Sequence, residues 1–161
     1  MAKKQVPVPQ KLYDIRQGTV IDHIPAGLAL QVLQVLGIRD GTDRMISVGM
    51  NLQSSKHGKK DIVKVEGKLL TGDEFNQLAV IAPGVTINQI SDGKVKQKTW
   101  AELPSFVSTM LCPNPNCITR HQPNVGRFRT VQKKPLILAC TYCERFVEAH
   151  QIVLTDCAHQ G

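Results

Sequence analysis

The stretch GTVIDHIPAGLALQVLQVLG, residues 18–37, changes its pattern midway, and that change decides the fold. Thr19, Val20, Ile21 and Ile24 form a cluster of β-branched residues suited to a strand, and Pro25 then stops pairing or opens a helix. Leu28, Ala29, Val32, Leu33 and Leu36 recur at helical spacing around Gln31 and Gln34, and Gly37 is the residue type that ends helices. The segments that follow extend the pattern. Arg44 to Leu52 alternates, which predicts a half-buried strand with Ile46, Val48, Met50 and Leu52 on one face. Asp61 to Glu66 reads as the next strand, reached through the polar connection 54–60 with its Gly58. Thr71 and Glu74 make a T-x-x-E capping box ahead of the apolar stripe Phe75, Leu78, Ala79 and Ala82, and Pro83-Gly84 ends that helix. Val85 to Ile90 and Lys94 to Trp100 flank Asp92-Gly93, two residues that tolerate positive φ and favour a tight hairpin.

The order strand, helix, strand, strand, helix, strand, strand is the split βαβ pattern with one strand added. It predicts an α+β fold: a ferredoxin-like antiparallel sheet with two helices. Ala101-Glu-Leu-Pro104 reads as a link, so a first domain is expected at 1–104 and a second at 105–161. Residues 1–10 are polar with two prolines and read as a loose arm.

All five cysteines lie in the last third of the chain, where apolar residues are too sparse for a generous core and reinforcement is expected. Cys112 and Cys117 are followed at a distance by Cys140 and Cys143, the pairing of short knuckles that delivers four soft ligands to a tetrahedral zinc ion. Arg127 to Val131 and Leu136 to Ala139 read as extended segments around Pro135, which fits a small β-rich zinc-ribbon or rubredoxin-like domain. Four cysteines leave no open coordination position, so one structural zinc per chain is expected rather than a catalytic one. Two other readings stay open at this level: a redox pair at Cys140-Thr-Tyr-Cys143, and structural disulfides. Cys157 is expected to be a free thiol, and His121 and His150 are not needed as ligands.

Met1 begins no basic, apolar, small-residue leader, and no apolar run approaches the roughly 20 residues that span a bilayer. A cytoplasmic protein with no membrane partner is expected. The formal charge of +7 invites nucleic acid, with Arg120, Arg127, Arg129, Lys133 and Lys134 in the second part of the chain. Few rings there are candidates for stacking, Phe128, Tyr142 and Phe146 among them, so no nucleic-acid partner is expected. No phosphate-binding loop, nucleophile elbow or H-E-x-x-H motif is present, which argues against an enzyme. Asp22, His23, Lys64 and Lys98 are polar residues within or at the ends of strand patterns, and singly each reads as the wet side of a half-exposed strand.

Taken together, Arg16-Gln-Gly-Thr-Val-Ile-Asp-His-Ile-Pro25, Lys60-Asp-Ile-Val-Lys64, Cys112-Pro-Asn-Pro-Asn-Cys117 and Cys140-Thr-Tyr-Cys143 closely resemble the regulatory chain of aspartate carbamoyltransferase, from Lys11 to Leu154. The resemblance implies a non-catalytic subunit of pyrimidine biosynthesis. Its first domain would bind CTP as inhibitor and ATP as activator and pair with the same domain of a second regulatory chain; its zinc domain would grip a catalytic chain. By the same resemblance Asp22 and Lys64 address the ribose, and His23 and Lys98 face the phosphates. Ile15, Thr86, Asn88 and Val95 line the base and sugar pocket, and Asn114, Asn116 and Glu144 meet the catalytic chain. Trp100 stands where many relatives carry a basic residue, Gly93 where an aromatic one is familiar, and Thr141 where a basic one is frequent.

Overall fold

The computed structural model describes residues 12–108, 110–122 and 127–154, so the arm at 1–10 and Cys157 lie outside the described residues. Alternating segments of the first part pair as expected. Strands β1 (Gly18–Pro25), β2 (Ile46–Ser54), β3 (Gly58–Glu66), β4 (Thr86–Ser91) and β5 (Lys94–Trp100) form one antiparallel sheet in the order β2-β3-β1-β4-β5. Helices α1 (Ala29–Val35) and α2 (Gly72–Ile81) cover one side of it. Ile21 on β1 sits opposite Val63 on β3 and Ile87 on β4, and this row packs with Ala29, Val32, Leu78 and Ala79 from the helices. Each fully buried Val, Leu or Ile among them contributes about 1.5–3 kcal/mol. Thr71 and Glu74 make the reciprocal capping box that starts α2, and Asp92 and Gly93 take φ of 53° and 70° at the β4–β5 turn.

One expectation fails. The alternation of β2 does not run through to Leu52: the register shifts between Gly49 and Leu52, Asn51 takes φ 56°, and Met50 is exposed. The cause is Asp61, fully buried on β3, whose Oδ1 accepts the Asn51 N–H at 2.8 Å. Its Oδ2 accepts the N–H groups of Gly27 and Ala29 at 2.8 and 3.1 Å, so one carboxylate fixes both the bulge and the start of α1.

The second part builds around Phe128. Strands β6 (Phe106–Val107), β8 (Phe128–Lys133), β9 (Leu136–Cys140) and β10 (Phe146–Glu148) form a sheet in the order β10-β9-β8-β6. Strand β7 (Met110–Leu111) pairs with β11 (Val153–Leu154), and a single helical turn, α3 (Ile118–His121), follows the first cysteine pair. Val107, Met110, Phe128, Leu138 and Val147 make a core that is continuous with the buried cysteines. Val80 of α2 belongs to this second core, and Leu154 packs against both cores. Among the described residues no helix is long and apolar enough to cross a membrane.

Candidate metal centre and polar sheet face

The two cysteine pairs meet. Cys112 leaves β7, Cys117 precedes α3, Cys140 ends β9, and Cys143 closes the turn after it; their four Sγ atoms all lie within 4.8 Å of one another. None of the four is in a disulfide, and the separations of 3.6 Å (Cys112 to Cys143) and 3.8 Å (Cys117 to Cys140) are far too long for one. A regular tetrahedron with metal–sulfur bonds of about 2.3 Å has edges of about 3.8 Å. The sulfur positions therefore fit a metal ion of that geometry.

The surroundings pull the thiols in opposite directions. Burial pushes the Cys112 thiol up to about 12 despite the Asn114 N–H that points at its sulfur. Burial likewise raises Cys140, against N–H donors from Cys143 and Tyr142. At Cys143 burial also works upward, but the Arg145 N–H, the Asn114 side chain and the neighbouring thiols outweigh it and bring the group down to about 7. The Thr119 hydroxyl, itself 1% exposed, donates to Cys117 Sγ at 3.2 Å. The N–H and O–H donors around the sulfurs are suited to thiolate ligands of a metal ion, whose charge would offset the burial that raises Cys112 and Cys140. Neither His121 nor His150 joins the cluster. Asn114 Oδ1 accepts the Asn116 N–H at 3.1 Å within the first knuckle, and exposed Glu144 takes φ 59° at the second.

The sheet's other face carries the polar residues singled out from the sequence. Because side chains two apart share a face, the row opposite to that of Ile21 points away from the helices. It runs across all five strands: Ser47 opposite Lys64, Lys64 opposite Val20, Val20 opposite Asn88, and Asn88 opposite Lys98. The next row sets Asp22 against Thr86 and Thr86 against Trp100. Val95 lies on the same hairpin, opposite Ile90. His23 stands at a bulge of β1 with φ 60°. Its buried Nδ1 lies 3.5 Å from Asp22 Oδ2 in a geometry that makes no hydrogen bond. Ile15 is buried outside the strands.

Two ion pairs on this face were not legible in the sequence. Lys60 Nζ donates to Asp22 Oδ1 at 2.7 Å, and Lys64 Nζ donates to Asp14 Oδ1 at 2.8 Å. Partial burial pushes the Asp22 carboxyl upward, but the Lys60 bond, the His23 N–H and the nearby positive charge more than offset it, and the group sits below its ordinary value. The hydrogen bond from Lys64 lowers Asp14 in the same direction. A cavity of about 550 Å³ lies elsewhere, between α1, α2 and residues 149–154. Its lining holds Gln31, Gln34, Gln77 and His150 among apolar groups but neither Lys nor Arg, so it is poorly matched to a polyanion.

A helix-backed sheet with a polar face of lysine, carboxylate and amide groups, joined to a four-cysteine site with no open ligand position, is an α+β metal-binding protein of two parts. The particular family follows from comparison: the allosteric domain of the aspartate carbamoyltransferase regulatory chain matches residues 10–102, and the metal binding domain of the same chain matches residues 106–153. Regulatory chains of this name from Thermococcus sibiricus and Hyperthermus butylicus are 46% and 48% identical to it, over 89% and 86% of this chain and 95% and 88% of theirs. That of Methanothermobacter thermautotrophicus is 45% identical over 91% of this chain and 94% of its own. This chain belongs to the aspartate carbamoyltransferase regulatory chain family.

Proposed function

We propose that the chain is a non-catalytic subunit of aspartate carbamoyltransferase that holds one structural zinc on Cys112, Cys117, Cys140 and Cys143 and binds CTP and ATP on the polar sheet face. The observation that carries this reading is a division of chemistry. One end of the molecule gathers four cysteine sulfurs, three of them on buried residues, into a closed metal site, while the other spreads carboxylate, amide and ammonium groups along two adjacent rows of a sheet face. A closed site shapes its surroundings and does no bond chemistry.

On the polar face Asp22 and Lys64 address the ribose hydroxyls, with Thr86 and Asn88 beside them and Ile15 and Val95 at the apolar margin. His23 and Lys98 face the phosphates through charge-assisted bonds. In the second part Asn114, Asn116 and Glu144, on the knuckles that the metal fixes, contact the catalytic chain. A division into an effector domain at 1–104 and a metal domain at 105–161 is supported by the two cores, between which Val80, Leu103 and Leu154 make the contacts that cross it. Pairing with a second copy through the first domain and a cytoplasmic setting, where thiols stay reduced, complete the reading. Nucleic acid is disfavoured because the basic part has only four Phe and Tyr rings, Phe106, Phe128, Tyr142 and Phe146, and Phe128 is fully buried.

The test is assembly. The zinc-loaded chain is mixed with aspartate carbamoyltransferase catalytic chains and followed by light scattering, while calorimetry follows CTP and ATP. A stable complex that a zinc chelator dissolves, together with saturable nucleotide binding, is the expected result. Absence of any complex with loaded protein overturns the reading.

A further inference from the structure

Lys60, Lys64 and Lys98 are held on the polar face in two different ways. Lys60 and Lys64 are each tied to a carboxylate, Asp22 and Asp14, at 2.7 and 2.8 Å. An incoming anion must compete with that carboxylate for the ammonium group. Lys98 has no carboxylate within ion-pair distance among the described residues; its Nζ stands instead 5.6 Å from the centre of the Trp100 ring. An aromatic face attracts a cation through its quadrupole but carries no net charge, so the ammonium is positioned and its charge is left uncompensated.

The register makes this more than a chance contact. Lys98 and Trp100 are two residues apart on β5 and therefore share a face. Lys98 stands opposite Asn88, and Trp100 stands opposite Thr86, which in turn faces Asp22. The cation and its ring thus occupy the outer ends of the two rows that carry the proposed sugar ligands. Trp100 is half exposed and belongs to neither core cluster, so packing does not account for the only tryptophan in the chain.

We propose that Trp100 is a positioning residue that holds the Lys98 ammonium ready for the phosphates of the effector, and that it thereby makes Lys98 the principal phosphate-reading cation of this chain. This rests on the effector reading above. Fixing a long, flexible side chain before the ligand arrives removes part of the ordering cost from the binding step. The contribution acts on the phosphate end, so it strengthens CTP and ATP alike.

The zinc-loaded full chain is titrated with CTP and with ATP by calorimetry, comparing wild type with Trp100→Phe, Trp100→Leu, Lys98→Gln and the Lys98→Gln/Trp100→Leu double variant. Zinc content and thermal melting serve as folding controls. Trp100→Leu is expected to weaken both nucleotides about two- to fivefold, with Trp100→Phe in between, because the leucine keeps apolar bulk but has no ring face. In the Lys98→Gln background the leucine substitution is expected to cost nothing further. An undiminished loss in that background, or wild-type affinity in both Trp100 variants, overturns the inference. If Trp100→Leu does not fold, Trp100→Phe with and without Lys98→Gln decides by the same comparison. A wild-type chain that binds neither nucleotide overturns the effector reading itself, which separates the two failures.

Discussion

Thr119→Val removes one hydroxyl and changes almost nothing else. The hydroxyl donates to Cys117 Sγ at 3.2 Å from a side chain that is 1% exposed, and valine fills nearly the same space, so no cavity is opened. A hydrogen bond to a charged acceptor is worth about 1.5–3 kcal/mol. Loss of a partner that supports a metal ligand ordinarily weakens affinity about 10–100-fold, which is the same energy expressed as a ratio. Zinc should therefore pass from the variant to a chromophoric chelator at about one to two orders of magnitude lower chelator concentration than from the wild type. Thr119→Ser, which restores the donor, should recover most of the difference. Metal binding and folding are coupled in a site assembled from distant segments, so the melting temperature should fall in the same order. A Thr119→Val protein that gives up its metal at the wild-type chelator concentration refutes the claim that this hydroxyl stabilises a thiolate.

Three further outcomes follow from other parts of the molecule. Asp61→Ala strips a buried acceptor from the N–H groups of Gly27, Ala29 and Asn51 and should cost about 3 kcal/mol or more in urea unfolding; a loss below about 1 kcal/mol contradicts its role. Gly18→Ala places a Cβ 2.1 Å from the Val65 carbonyl oxygen at φ +137°, where only backbone stands in the way. It should cost roughly 2–4 kcal/mol and raise amide exchange along the β1–β3 ladder. Asp22 titrates below its unfolded value, so its pair with Lys60 stabilises the fold above that unfolded value and the benefit is lost as pH falls through the depressed one. At this partly exposed site the effect is at most about 1 kcal/mol, and the difference between wild type and Lys60→Met should hold from pH 6 down to about pH 4 and narrow as the pH falls below that. Taking the difference isolates the pair, since acid also strips metal from both proteins.

Those features of the fold that have a local cause could be read from the sequence. The capping box at Thr71 and Glu74, the Asp92-Gly93 hairpin and the helix from Leu28 all rest on residues within four positions of one another. The bulge at Asn51 could not, because the acceptor that stabilises it comes from Asp61, ten residues away and on another strand. The short strands β6, β7, β10 and β11 and the single turn of α3 span too few residues for any period to register. The metal site divides the same way. Its four sulfurs announce themselves by spacing, but Thr119 reaches Cys117 only because the knuckle turns back on itself, and a lone threonine carries no spacing signal. On the polar face the sequence marks Asp22, Lys64 and Lys98 as polar residues in strand patterns, while the partners Lys60, Asp14 and Trp100 emerge only from the register and the approach of the side chains.

The placement of the two sites constrains how one can influence the other. The polar face lies on the side of the sheet away from α1 and α2, whereas the second core meets the first through α2, where Val80 joins Phe128 and Met110. A ligand on that face cannot touch the metal unit across the sheet, so its effect has to pass through backbone or through packing. The chain offers one covalent route, from the end of β5 into the link. That route is fastened at both ends. Ala101 is fully buried in the first core, with its N–H on the Val85 carbonyl at 2.9 Å and its carbonyl accepting from the Gly84 N–H at 2.8 Å. Three residues on, the Pro104 carbonyl accepts the Thr130 hydroxyl at 2.7 Å, and the Ser105 carbonyl accepts the Thr130 N–H at 2.9 Å. A connector held this way moves as a lever rather than a tether, and the second route, through Val80, is close-packed and yields only by shifting α2 as a unit. Displacement of β5 by a ligand on Lys98 would therefore be felt at β6 and β8, the strands beside the metal knuckles. By linkage, any influence of nucleotide on the affinity of the metal unit for its partner is matched by an equal influence of that partner on nucleotide affinity.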